Sequence, residues 1–137
     1  MEYKITPANK NYGIAIFGLV HNGLDIAHIC FSEIERGYRY FENDLSEEEY
    51  YNIFIEDKYL YIEEVYVDKN WRKKGIANKL MNEYFKYCYK KLPQYNQFVL
   101  IACPLELSIS IFLLKLFYNK FGFTELIDYK NTCLMLK

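Results

Sequence analysis

Between residues 59 and 103 the hydrophobic rhythm of the chain changes twice, and this restricts the fold more than any other feature. Residues 59–68 alternate in part and are rich in Tyr, Ile and Val, so they read as a strand. A basic loop follows. Ile76, Leu80, Met81, Tyr84, Phe85 and Cys88 then recur at helical spacing and form one apolar stripe. Gly75 opens that helix, and Pro93 requires it to stop, because proline has no N–H to give and clashes with the preceding turn. Residues 98–103 form a continuous apolar run of strand length, as expected of a parallel strand covered on both faces. Strand, helix and strand make one βαβ unit, whose crossover should be right-handed.

The flanks complete a mixed α/β chain. Apolar stretches at 13–20 and 24–34 are joined through His21-Asn22-Gly23, and Asn-Gly is a strong hairpin signal. Ser46 followed by Glu49 has capping-box spacing. It predicts a short helix over 47–54 with Tyr50, Tyr51 and Phe54 on its inner face. A further helix is predicted over 108–120, with Ile109, Phe112, Leu113, Leu116 and Phe117 inward and Gly122 as its C-terminal glycine. Residues 123–126 and 132–136 read as a closing antiparallel pair.

Composition bounds the function. A chain of 137 residues, 52% hydrophobic, fits one domain over 1–137 and is too apolar for disorder. Lys plus Arg number 17 and Asp plus Glu 18, so no global basic field draws the chain to nucleic acid or an anionic membrane. No apolar run approaches the ~20 residues of a membrane span. Met1-Glu2-Tyr3-Lys4 does not read as a secretory signal, and a cytoplasmic location is expected. Cys30, Cys88, Cys103 and Cys133 show no C-x-x-C pairing. They are expected as reduced core thiols, with no metal site, and His21 and His28 are given no catalytic or metal role. The acidic residues Glu42, Asp44, Glu47, Glu48 and Glu49 read as a solvated helix face, and the many tyrosines as core edge and surface.

The chemistry concentrates in the loop before the helix, where Arg72-Lys73-Lys74-Gly75-Ile76-Ala77 stands. The first N–H groups of a helix lack partners, and the helix dipole adds partial positive charge there. Small residues at Gly75 and Ala77 let a phosphate approach the backbone, and Arg72, Lys73 and Lys74 add charge. Neither the P-loop pattern nor G-x-G-x-x-G is present. Taken alone, the loop suits a phosphate cradle or a solvated basic turn equally.

Context adds to this. Residues 61–81 resemble the acetyl-CoA-binding core of the GNAT superfamily of N-acetyltransferases, in which a strand is followed by [RQ]-x-x-G-x-[GA] at a helix opening. Phe117-Tyr118-Asn119-Lys120-Phe121-Gly122-Phe123 is similar to that family's Y-x-K-x-G-F helix end. The resemblance implies a mixed α+β fold: a central, mostly antiparallel sheet splayed between two parallel strands and flanked by helices. It implies acetyl-CoA as donor. The backbone of Val65, Tyr66 and Val67 would hold the pantetheine arm. Amides of Lys73, Lys74, Gly75, Ile76, Ala77 and Asn78 would hold the pyrophosphate, with Arg72 beside them. Tyr118 would lie near the thioester sulfur, and Lys120 reads as a solvated helix end. Residues 61–67 resemble the strand of polyamine-type members, where the first acid of a pair is the base. This implies Glu63 as base and Glu64 as an amine contact. Adjacent strand residues point to opposite faces, so only one is expected to face the cleft. The implied acceptor is a primary amine of a small molecule or a protein lysine, with no metal, and the fold allows a homodimer through the C-terminal strands. The alternative is a catalytically silent GNAT-fold module that binds CoA or a protein.

The chain departs from the family in two respects. Ile111, with Ser108 and Ser110 nearby, stands where many members carry an Asn. Hardly any chain is available for the two helices that members usually place between the first strands.

Overall fold

The structure, a computed structural model, describes residues 2–7, 13–104 and 109–137. Seven strands form one sheet in the order β1-β2-β3-β4-β5-β7-β6. They are β1 Glu2–Thr6, β2 Ile14–His21, β3 Leu24–Glu35, β4 Lys58–Val67, β5 Phe98–Ala102, β6 Thr124–Asp128 and β7 Cys133–Leu136. Among the described residues, three α-helices accompany them: α1 Glu47–Ile53, α2 Ile76–Lys91 and α3 Ile111–Asn119. Among the described residues, only β4 and β5 pair in parallel, and the other five pairings are antiparallel. This is the mixed, mostly antiparallel sheet with flanking helices expected from the sequence. Among the described residues, no helix is long and apolar enough to cross a membrane.

The expected hairpin joins β2 to β3. Asn22 and Gly23 both take positive φ, 51° and 77°, which matches the twist of the strands they connect. β1, which the sequence did not signal, pairs antiparallel with β2 along the edge of the sheet.

One face of the sheet is closed by α2. All six residues of the predicted stripe are buried, against Phe17, Phe31, Leu60 and Phe98 among others. Burying a side chain of this size contributes about 1.5–3 kcal/mol, so this seam anchors the crossover. The opposite face carries a smaller aromatic core of Phe41, Tyr50, Phe54 and Tyr59, with Tyr50 stacked on Phe54 at 4.5 Å between centroids. Tyr51 is 45% exposed, contrary to expectation. Tyr50 is buried between Phe41 and Phe54, and the step of about 100° to Tyr51 carries that ring to the rim of the short helix.

Three further expectations are corrected. β5 is buried along its length except at Ile101, which is 44% exposed where the sheet opens. On α3, Phe112, Leu113 and Leu116 are exposed, as is Ile109 before the helix. Phe117 faces inward as expected, and Ile111, Leu114 and Tyr118 make the other inward contacts. Ser108, the first residue of the predicted helix, lies outside the described residues. Of the four thiols only Cys88 and Cys133 are buried, while Cys103 is exposed and Cys30 lies between.

Two irregularities of β4 shape the site. Its ladder with β5 covers only Leu60↔Phe98, Tyr61↔Val99 and Ile62↔Leu100. Beyond this the strands fork. Against β3, Cys30 pairs with Glu64 but Phe31 pairs with Ile62, so Glu63 is the extra residue of a β-bulge.

Candidate active site

Two cavities meet at the fork. One, of about 500 Å³, runs from the fork along Val65, Tyr66 and Val67 to the start of α2, with Tyr118, Leu113 and Phe117 of α3 on its far wall. The other, of about 530 Å³, lies among Ser32, Tyr40, Tyr61, Asp44 and Tyr129. Glu63 and Ile101 line both. They are the first residues on each strand past the last β4–β5 pair, so strand divergence itself joins the two spaces.

The first cavity suits an extended chain ending in phosphate. Val65, Tyr66 and Val67 pair with β3 on one side, while β5 has left the other, so β4 offers main-chain groups to a ligand there. At the end of this groove Gly75 caps α2 with φ 74°. That conformation costs a residue with a Cβ about 1–2 kcal/mol. No side chain caps the helix, and its first turn bonds only from Lys79 N–H back to Gly75 O. Among the described residues, no bond satisfies the amides of Ile76, Ala77 and Asn78, which stand at the positive end of a sixteen-residue helix. A Cβ built on Gly75 meets no atom within 4 Å, so the space before these amides is open.

The basic residues divide by role. Arg72 and Lys73 line the cavity, and Arg72 Nε donates to Val67 O at 2.9 Å, which ties the loop to the end of β4. Lys74 is not part of the lining, and its ammonium sits 5.2 Å from the Trp71 ring centroid. Lys120 donates to Asn78 Oδ1 at 3.2 Å, which puts a second cation beside the α2 start.

At the fork the two acids share a side of the sheet. Ser32 Oγ donates to Glu63 Oε1 at 3.1 Å, and Cys30 Sγ lies 3.8 Å from Glu64 Oε2. Cys30 and Ser32 are two apart on β3 and so face the same way. The bulge turns both carboxylates to that face, which overturns the expected alternation. Ser32, a position the sequence reading missed, is 8% exposed and fixes one Glu63 oxygen. Tyr118 is also only 8% exposed, edge-on to Phe117 and Phe123, and lines the first cavity. Burial pushes its phenol up to about 12, so it keeps its proton at neutral pH.

A family model described as an acetyltransferase (GNAT) domain matches residues 36–125. The chain belongs to the GNAT family of acetyltransferases. The matched span holds the fork, the uncapped α2 and Tyr118 together. No curated protein matches this GNAT chain by sequence. Solved structures share its fold at low identity. ElaA from Escherichia coli is 16% identical, with a TM-score of 0.58 over 90% of this chain and 68% of that one. The PaiA N-acetyltransferase from Thermoplasma acidophilum, in complex with coenzyme A, is 18% identical with a TM-score of 0.59, over 93% of this chain and 62% of that one. Naa50 from Arabidopsis thaliana, in complex with the bisubstrate analogue CoA-Ac-MVNAL, is 17% identical, with a TM-score of 0.56 over 89% and 71%. The chain spans about two thirds of the length of these solved structures.

Proposed function

We propose that the protein transfers the acetyl group of acetyl-CoA to a primary amine of a small molecule or a protein lysine. The fork carries this reading: one carboxylate, Glu63, borders both the groove suited to the donor and the cavity suited to the acceptor. In this reading Val65, Tyr66 and Val67 align the pantetheine arm as a further strand would. Ile76, Ala77 and Asn78 bind the pyrophosphate through their amides, with Arg72, Lys73 and Lys120 adding charge.

The acceptor must lose a proton first. An alkyl ammonium has pKa about 10.4, so deprotonation near pH 7 costs roughly 4–5 kcal/mol. Glu63, oriented by Ser32, accepts that proton directly or through a water. The nitrogen lone pair then attacks the thioester carbonyl, and main-chain N–H groups of β4 beyond the fork stabilise the oxyanion. Collapse expels a thiolate. Tyr118 faces it with a hydrogen bond rather than a full proton. A phenol near 12 would lose roughly 5 kcal/mol in giving its proton to a thiolate of ordinary pKa about 8.5. The thiolate takes its proton from the amine by way of Glu63 and solvent.

The test is thiol release from acetyl-CoA across a panel of amines, with coenzyme binding measured separately. Glu63→Gln should lower kcat by about 10²- to 10⁴-fold and leave coenzyme affinity unchanged. Undiminished release in that variant would remove Glu63 as base. Tight coenzyme binding with no release on any amine would overturn turnover itself.

A further inference from the structure

Beside the fork, the same face of the sheet carries two side chains, His28 and Cys30, that acetyl transfer leaves unused, next to Glu64. His28 and Cys30 are two apart on β3, and Glu64 is the ladder partner of Cys30. His28 Nε2 lies 3.7 Å and Cys30 Sγ 3.8 Å from Glu64 Oε2. The imidazole nitrogen, thiol sulfur and carboxylate oxygen all fall within 4.8 Å of one another. In a tetrahedral zinc site with Zn–N and Zn–O near 2.0–2.2 Å and Zn–S near 2.3 Å, ligand atoms are separated by about 3.3–3.6 Å. Closing on an ion therefore takes side-chain shifts of roughly 1 Å or less, with no change of register.

The surroundings also fit. Asp25 Oδ2 lies 2.9 Å from His28 Nδ1, and an Nδ1–H donated there leaves the lone pair of Nε2 toward Cys30 and Glu64. Tyr66 stacks on the imidazole at 5.1 Å and holds its plane. Among the described residues, no Lys or Arg makes an ion pair with Asp25 or Glu64, whose near neighbour is His28. A second His/Cys/acid cluster, Glu125, Asp128 and Cys133, differs on this point. Lys115 Nζ already sits 2.6 Å from Asp128 and 3.7 Å from Glu125, so that group holds a cation of its own.

We propose that His28, Cys30 and Glu64 bind a divalent cation of the zinc class, with water in the fourth position. Nitrogen, sulfur and oxygen ligands together select zinc or cobalt over magnesium or calcium. Coordination forms a metal–sulfur bond and releases the Cys30 proton to solvent, and no electron changes hands. The neighbouring β2 places only Ile16 and Gly18 opposite Cys30 and His28. A bound ion would pin β3 to β4 across the bulge that presents Glu63.

Cobalt(II) is the probe, and the assay needs neither coenzyme nor turnover. Titrating the full chain should give one equivalent bound, with a thiolate-to-cobalt charge-transfer band and tetrahedral visible bands. Zinc(II) should displace them, and metal binding at pH 7 should release the thiol proton to the buffer. Cys30→Ser should abolish the charge-transfer band. His28→Gln and the exposed Glu64→Gln should each weaken binding by about tenfold or more. Cys133→Ala and Cys103→Ala should leave the spectrum intact. Cooperative melting of each variant confirms that it is folded. The absence of a charge-transfer band in the wild type would overturn the site. So would a band that persists in Cys30→Ser or disappears in Cys103→Ala or Cys133→Ala.

Discussion

α1 and α2 begin in opposite ways. At α1, Ser46 Oγ accepts from Glu49 N–H at 3.1 Å and Glu49 Oε1 accepts from Ser46 N–H at 3.0 Å. The chain satisfies those donors itself, and acidic Glu47, Glu48 and Glu49 offset the dipole. At α2 the cap is Gly75, no side chain reaches the first amides, and the first turn has no acid. Basic Arg72 and Lys73 stand there instead, on the wall of a cavity. Buried or semi-enclosed amides rarely stay unpaired without reason. A capped start serves stability, and an uncapped start facing a groove leaves its amides open to a ligand.

The largest expected effect attacks the α2 start. Gly75→Leu places a side chain in the open space before three amides and imposes a left-handed backbone on a branched residue. Hydrogen bonds to charged groups contribute about 1.5–3 kcal/mol each, so losing two or more should weaken coenzyme binding by at least about 100-fold in calorimetric titration. Unchanged affinity would place the diphosphate elsewhere. Gly75→Ala separates strain from blockage. It should cost about 1–2 kcal/mol in a urea unfolding curve while losing much less coenzyme affinity than Gly75→Leu.

Ser46→Ala makes the reverse test at α1. It should cost about 1 kcal/mol of stability and leave coenzyme affinity untouched. A change in affinity there would mean that the two helix starts are not separate in role. The smallest effect is electrostatic. The Ser46 main-chain N–H, then its hydroxyl, hold the Glu49 carboxyl below the usual glutamate range. Its stabilisation is therefore present above the unfolded-state pKa and lost as pH falls through the folded one. Urea midpoints measured from pH 6 to pH 2 should fall slightly less in Glu49→Gln than in the wild type. Identical series would show that the carboxylate half of the box adds nothing.

Much of the fold was legible because its signals are local. The α2 stripe is amphipathic, so period 3.6 identified all six of its buried residues. Asn22-Gly23 and the Ser46/Glu49 box are short motifs with a defined geometry. α3 resisted the same reading for the opposite reason. Ile111, Phe112, Leu113, Leu114, Leu116 and Phe117 are apolar all round the helix, so periodicity cannot choose which face packs. The contact with the sheet chooses Ile111, Leu114 and Tyr118, three and four residues apart.

The site divides along the same line. The sequence by itself determined the strand, the basic turn, the glycine and the helix, because one residue type at each position sets the local backbone and the charge. Tertiary structure alone decided where β4 leaves β5 and where the extra residue of β4 falls. Both depend on pairing with strands more than thirty residues away, which no local pattern encodes. That pairing puts Glu63 and Glu64 on one face, gives Glu63 its Ser32 partner, and leaves Ile101 open at the meeting of the two cavities.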